Sequence, residues 1–225
     1  MRRIVLLGTT MALVVLVASP LGASNNTSLD GPDPAFWLSD PERDLGDNGI
    51  EQGDPVAGSS GKATVNNNGA TIQVNATGLE PGHTYTMWVV YFSDSAQCAD
   101  RGSGNAGCNG EDLPFAGGGV AFGNGLVVGG SGNATFTARM NTGDGVIGTP
   151  PPPFGFGLYE AGDNNEFHVV IRSHGPKIAG EVGEQIHTFN GGCTTEVGPP
   201  PEGVGDFPTP EFPGECGDVQ LYVFS

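Results

Sequence analysis

The sequence predicts an all-β fold, a two-sheet antiparallel sandwich of the immunoglobulin-like kind with about eight strands and long Gly/Pro-rich loops. Three observations lead there. Apolar runs of strand length recur along the chain, turn residues fill the gaps between them, and no segment holds a 3.6-residue apolar period for several turns. The 225 residues include 39 Gly and 18 Pro, which approaches the composition of disordered chains. The runs alternate too regularly for disorder.

Taken in order, the chain opens with an export signal. Met1-Arg2-Arg3 is a basic start, and the apolar run Ile4 to Val17 is broken only by Gly8, Thr9 and Thr10. Ser19-Pro20-Leu21-Gly22-Ala23 then supplies small residues suited to cleavage, so residues 1–23 read as a secretory signal peptide. The alternative is an uncleaved anchor, for which the run is short. No Cys follows it to carry a lipid. Residues 24–60 are acidic and turn-rich without strand or helix period, and read as a flexible lead-in. Its one apolar knot, Ala35-Phe36-Trp37-Leu38, is expected to dock on the domain. Asp44 to Gly49 resembles a calcium loop but has Gly46 at position 3 and Pro55 at position 12, so a plain turn is the better reading.

Residues 61–225 are expected to form the sandwich domain. Lys62–Asn67 and Ala70–Asn75 flank Asn68-Gly69, a strong hairpin signal because both residues tolerate positive φ. Thr84–Ser93 is a long β-branched and aromatic run, as expected of a strand buried on both faces. Val120–Val128 and Asn133–Met140 are expected to pair as a second hairpin through Gly129-Gly130-Ser131-Gly132. Pro150 to Pro153 form a stiff extended crossover. In Glu166–Arg172 the residues Phe167, Val169 and Ile171 point one way, with His168, Val170 and Arg172 the other. Val182–Phe189 reads as a weaker strand, Val197–Gly214 as a Pro/Gly loop, and Asp218–Phe224 as a final strand.

Leu79-Glu80-Pro81-Gly82-His83-Thr84-Tyr85 places a Pro-Gly turn before a strand-entering Tyr. It resembles the tyrosine corner of fibronectin type III and immunoglobulin-like sandwiches, which implies a Tyr hydroxyl bonded to nearby backbone. More than half of the chain follows Tyr85, unlike the fibronectin order. Further resemblance comes from Arg172-Ser173-His174-Gly175-Pro176, Gly191-Gly192-Cys193 and Cys216-x-Asp218-Val219-Gln220. With the corner and a Cys-bounded loop, residues 61–225 look like a group of uncharacterised exported prokaryotic β-sandwich proteins. That resemblance implies a shared sandwich and shared disulfides and brings no catalytic residues.

Charge narrows the partners. The formal net charge is −17, and loss of residues 1–23, with two arginines and no acid, takes it to −19. Such a surface repels nucleic acid and anionic lipid. The acids are scattered, which fits solubility at high salt better than a cation-binding exterior. Four cysteines in an exported chain read as two disulfides, for which three pairings exist. The local pairing, Cys98 with Cys108 and Cys193 with Cys216, is the economical one; zinc lacks a Cys-x-x-Cys pair.

Catalytic motifs are few. There is no Gly-x-Ser-x-Gly, no phosphate-binding Gly-rich loop, and no cysteine left as a nucleophile. Histidines are the one lead. His168 lies within a strand, His174 just past its end and His187 in the next segment, and the three could converge as copper or zinc ligands do on sandwiches; a structural use, with Glu166 pairing His168 or Arg172, is the better reading. His83 reads as a turn residue. Arg172 needs a carboxylate such as Glu166 or Asp218, or backbone carbonyls, to offset desolvation. Asn25, Asn26, Asn75 and Asn133 begin glycan acceptor triplets.

The resulting expectation is a secreted or cell-surface structural or interaction module, not an enzyme, without an obligate cofactor. Its partner would be a surface protein or glycan rather than nucleic acid or membrane. The alternatives are a copper or zinc site on the sandwich and a carbohydrate-binding module using Trp37 or Trp88.

Overall fold

The computed structural model describes residues 26–32, 35–38, 54–98, 107–145, 157–193 and 216–225. The signal segment, Asn25, the Asp44–Gly49 turn, the Pro150–Pro153 crossover and the Val197–Gly214 loop lie outside them. The strands are β1 (Thr27–Leu29), β2 (Phe36–Trp37), β3 (Ser60–Asn66), β4 (Gly69–Ala76), β5 (His83–Phe92), β6 (Gly118–Val127), β7 (Ala134–Asn141), β8 (Glu166–Pro176) and β9 (Gly217–Phe224). They form two antiparallel sheets, ordered β1-β3-β4-β7 and β2-β9-β8-β5-β6. This is an all-β, two-sheet sandwich.

Alternation explains the first sheet. Ala70, Ile72, Val74 and Ala76 of β4 are buried while Thr71, Gln73 and Asn75 face water; β7 buries Phe136, Ala138 and Met140 in the same way. The second sheet contributes Met87, Val89, Tyr91, Phe167, Val169, Ile171 and Tyr222 to the core between them. Its central strands are buried on both faces, so its outer face also carries a covering.

The corner before β5 has the expected chemistry. Gly82 sits at φ +83°, His83 N–H donates to the Glu80 carbonyl at 3.2 Å, and Glu80 N–H donates to the Tyr85 hydroxyl at 3.0 Å. The β3–β4 hairpin forms, with its turn at Asn67-Asn68, one residue earlier than expected. Asn66 Oδ1 accepts the Asn68 N–H at 2.9 Å and closes that turn locally, leaving Gly69 to start β4.

Three expectations are corrected. First, β6 and β7 are not a hairpin: β6 pairs with β5 and β7 with β4, in different sheets. The Gly129–Gly132 tetrad crosses the sandwich. Val128 exchanges hydrogen bonds with Gly82 and His83, whereas Gly132 O accepts from Leu79 N, so each side of the tetrad is held to a different strand end. Second, Val182–Phe189 is not a strand. It holds the single helical turn α1 (Val182–Gln185), because the Gln185 side chain bonds Ile178 N, His174 O and Pro176 O and tucks the segment against the end of β8.

Third, the lead-in assigned to residues 24–60 contributes to both sheets. β1 pairs with β3 and β2 with β9, while Asp30 and Ser225 exchange backbone hydrogen bonds at 3.1 Å. The apolar knot docks as expected, with Ala35 and Phe36 buried. Sheet edges offer rows of unpaired N–H and C=O groups, and two or three residues are enough to cover part of one. Strands that short leave no period in a sequence.

Candidate functional site

The outer face of β8 concentrates the polar groups. Since Phe167, Val169 and Ile171 enter the core, Glu166, His168, Arg172 and His174 must line the opposite face, and all four are buried. Cys108 and the segment Phe189–Cys193 lie against them, and the disulfides have the expected pairing, Cys98–Cys108 and Cys193–Cys216.

At the start of β8, Glu166 Oε1 accepts the Cys108 N–H at 2.8 Å and lies 2.7 Å from His168 Nε2. The His168 ring meets Phe92 edge-on at 5.2 Å. Glu166 therefore ties Cys108 to the sheet, and His168 holds the carboxylate from the same strand. At the far end Arg172 donates to Asp218 Oδ1 at 2.8 Å and to the Phe189 carbonyl at 3.0 Å, with its guanidinium 4.1 Å from the Phe189 ring centre. Asp218 and a backbone carbonyl are the partners expected for a buried Arg.

His174 lies one turn of pleat further on. Its Nδ1 is 2.9 Å from the Gly191 carbonyl, which can only accept, so Nδ1 carries the proton. Nε2 then accepts the Thr86 hydroxyl at 2.8 Å, and Thr86 Oγ1 accepts the Trp88 indole N–H at 3.0 Å. Burial pushes the imidazole pKa down to about 4, assisted by the Arg172 charge and opposed by the Gly191 bond. His174 is thus a neutral side chain at pH 7. The disulfide sulfurs of Cys193 and Cys216 lie 3.8 and 3.7 Å from its Nδ1.

The expected histidine triad is corrected. His168 and His174 share a face, but six residues of strand separate them by roughly 20 Å. His187 is exposed and donates from Nδ1 to Gly183 O at 2.7 Å. Among the described residues, the group of His, Cys, Asp and Glu close enough to hold one ion is His174, Cys193 and Cys216. With the two sulfurs bonded to each other, neither is a thiolate ligand.

The aromatic candidates are also structural. Trp88 is buried edge-on against Phe122 and Phe189, both at 5.2 Å, and Trp37 is half-buried over Gly78, where an added Cβ would sit 2.9 Å from its ring. Neither offers a flat exposed platform. The acceptor residues Asn26, Asn75 and Asn133 are exposed. Thr86, Gln185 and Gly191 are site residues that sequence reasoning missed. A signal existed in Gly191-Gly192-Cys193: a Cβ at Gly191 would run into the Glu184 carbonyl, and Gly192 has φ +72°, so only this pair lets the loop close on α1.

No family model, curated protein or solved structure matches the chain. The two disulfides fit an extracellular protein, and no helix among the described residues is long and apolar enough to cross a membrane.

Proposed function

We propose that this chain is a secreted or cell-surface structural or interaction module without catalytic activity. One observation carries the reading: on β8 the buried Glu166, Arg172 and His174 each bond to another segment, and His168 bonds Glu166. Side chains used in this way rigidify loops, and a rigid loop loses less entropy when it binds. The loops at the Phe92 end also present apolar surface. Phe115 is 74% exposed and Leu158 is 57% exposed. Their segments run together, since a Cβ on Gly157 would lie 3.5 Å from the Gly117 carbonyl carbon. This end is the surface offered to a partner protein.

Cross-linking on intact producing cells tests the proposal. The expected result is a discrete cross-linked species that Phe115→Ser weakens while the circular dichroism spectrum is unchanged. Finding only free monomer in the medium would argue against a surface module.

A further inference from the structure

The geometry points to a second, mutually exclusive state of the Cys193–Cys216 end: once the disulfide is reduced, His174, Cys193 and Cys216 form a binding site for a thiophilic d10 cation, with Zn²⁺ as the reference ion. This inference is independent of the interaction role proposed above.

The donor atoms already stand in a ligand-like triangle. A tetrahedral zinc site with Zn–S of about 2.3 Å and Zn–N of about 2.0–2.1 Å has S···N edges near 3.5 Å and an S···S edge near 3.8 Å. The two sulfurs lie 3.8 and 3.7 Å from His174 Nδ1, so both S···N edges are close to the required length. Only the S–S edge must open, and breaking that bond opens it. Two donors are fixed by the sheet: β8 and β9 pair at Ser173 and Gly217, which places His174 and Cys216 side by side at the next position. Cys193 stands on the covering loop after Gly191-Gly192 and is half-buried, so the loop supplies the movement.

Ligation gives up the His174–Gly191 bond, on the segment that must move, and keeps the bond to Thr86. In the disulfide form Nδ1–H donates to Gly191 O and Nε2 accepts from Thr86. Ligation through Nδ1 requires the other tautomer, with the proton on Nε2. Thr86 Oγ1 has two lone pairs and one proton, so it can accept Nε2–H while still accepting the Trp88 indole N–H. The imidazole changes tautomer without losing the hydroxyl that orients it, as an outer-shell partner should allow.

The chemistry balances with a dithiol reductant. One of its thiolates attacks the half-buried Cys193 sulfur, Cys216 leaves as a thiolate, and the second reductant thiol closes its own disulfide to release Cys193. Two electrons pass from the dithiol to the protein disulfide. Zn²⁺ then binds the two cysteines with release of their two protons to solvent, as its ligands must be deprotonated. Three protein donors leave one of zinc's four positions to an outside ligand.

The test uses the full chain, reduced anaerobically with a dithiol that is then removed, and titrated with Zn²⁺ against a chromophoric chelator. Site identity is read by alkylating the cysteines and locating the modified ones by mass spectrometry. One equivalent of zinc should bind the reduced chain and none the disulfide form. Zinc should slow alkylation of Cys193 and Cys216 at least tenfold and leave Cys98 and Cys108 unaffected. His174→Gln should weaken binding at least tenfold, while Cys98→Ser with Cys108→Ser should not. Failure to bind zinc, equal protection of all four cysteines, or loss of the β-sheet circular dichroism signal in the reduced chain even with zinc present would each overturn the inference.

Discussion

Arg172 is the side chain most dependent on its partners. It is almost fully buried, and Asp218 supplies its one carboxylate among the contacts described above. Asp218→Ala should lower the unfolding free energy by about 3 kcal/mol, since removing one partner of a buried ion pair is costly. The guanidinium chloride midpoint reads this, and a change under about 1 kcal/mol would mean that the other contacts of Arg172 satisfy the guanidinium. His174 gives a pH effect of definite sign. Its pKa is about 4 in the fold, against 6.5 for an ordinary imidazole. The unfolded chain therefore binds a proton that the folded chain refuses. The stability this provides is complete above pH 6.5 and is lost as pH falls from there towards 4, by about 3 kcal/mol. Unfolding midpoints of wild type and His174→Gln between pH 7.5 and 4.5 should diverge accordingly; parallel curves would refute the assignment. At this scale strand alternation made part of the site legible. It put His168 and Arg172 on one face and offered Asp218 to Arg172; His174 was expected just past the strand's end, whereas β8 runs on to Pro176. Alternation could not make the histidines meet, because six residues of continuous strand hold His168 and His174 roughly 20 Å apart. The cluster that does form depends on where a loop returns Cys193, which no spacing encodes.

The strands legible in the sequence were those long enough to show a period. β4 and β7 run eight residues each with alternating burial, while β5 and β8, of ten and eleven residues, are buried on both faces. β1 and β2 have three and two residues and carry no such signal. Glycine-rich turns were equally ambiguous: they mark where the chain reverses and do not say whether the next strand joins the same sheet. The N-terminal strands should nevertheless matter. A chain beginning at Gly61 loses both β1 and β2, together with buried Ala35, Phe36 and Val56. Its thermal midpoint should fall by about 10 °C, as expected for losing several kcal/mol from a domain of this size. Scanning calorimetry would show it, and an unchanged midpoint would return residues 24–60 to the role of a simple lead-in.

For the whole molecule, charge is the dominant variable. A net charge of −17 makes the compact state self-repelling. Raising ionic strength from about 0.01 to 1 M shortens the screening length from about 30 to 3 Å, so the thermal midpoint should rise over that range. A midpoint that falls with added potassium chloride would indicate that favourable ion pairs outweigh repulsion.

The pairing of β2 with β9 also sets a timetable. Phe36 lies opposite Leu221, and Asp30 bonds Ser225, so early residues are completed by late ones. On a growing chain the second sheet has no β9 to place beside β8 until nearly all the preceding strands have been synthesised. Contacts so distant in sequence slow folding. The second sheet therefore closes only at the end of synthesis, whereas every strand of the first has been made once β7 is complete.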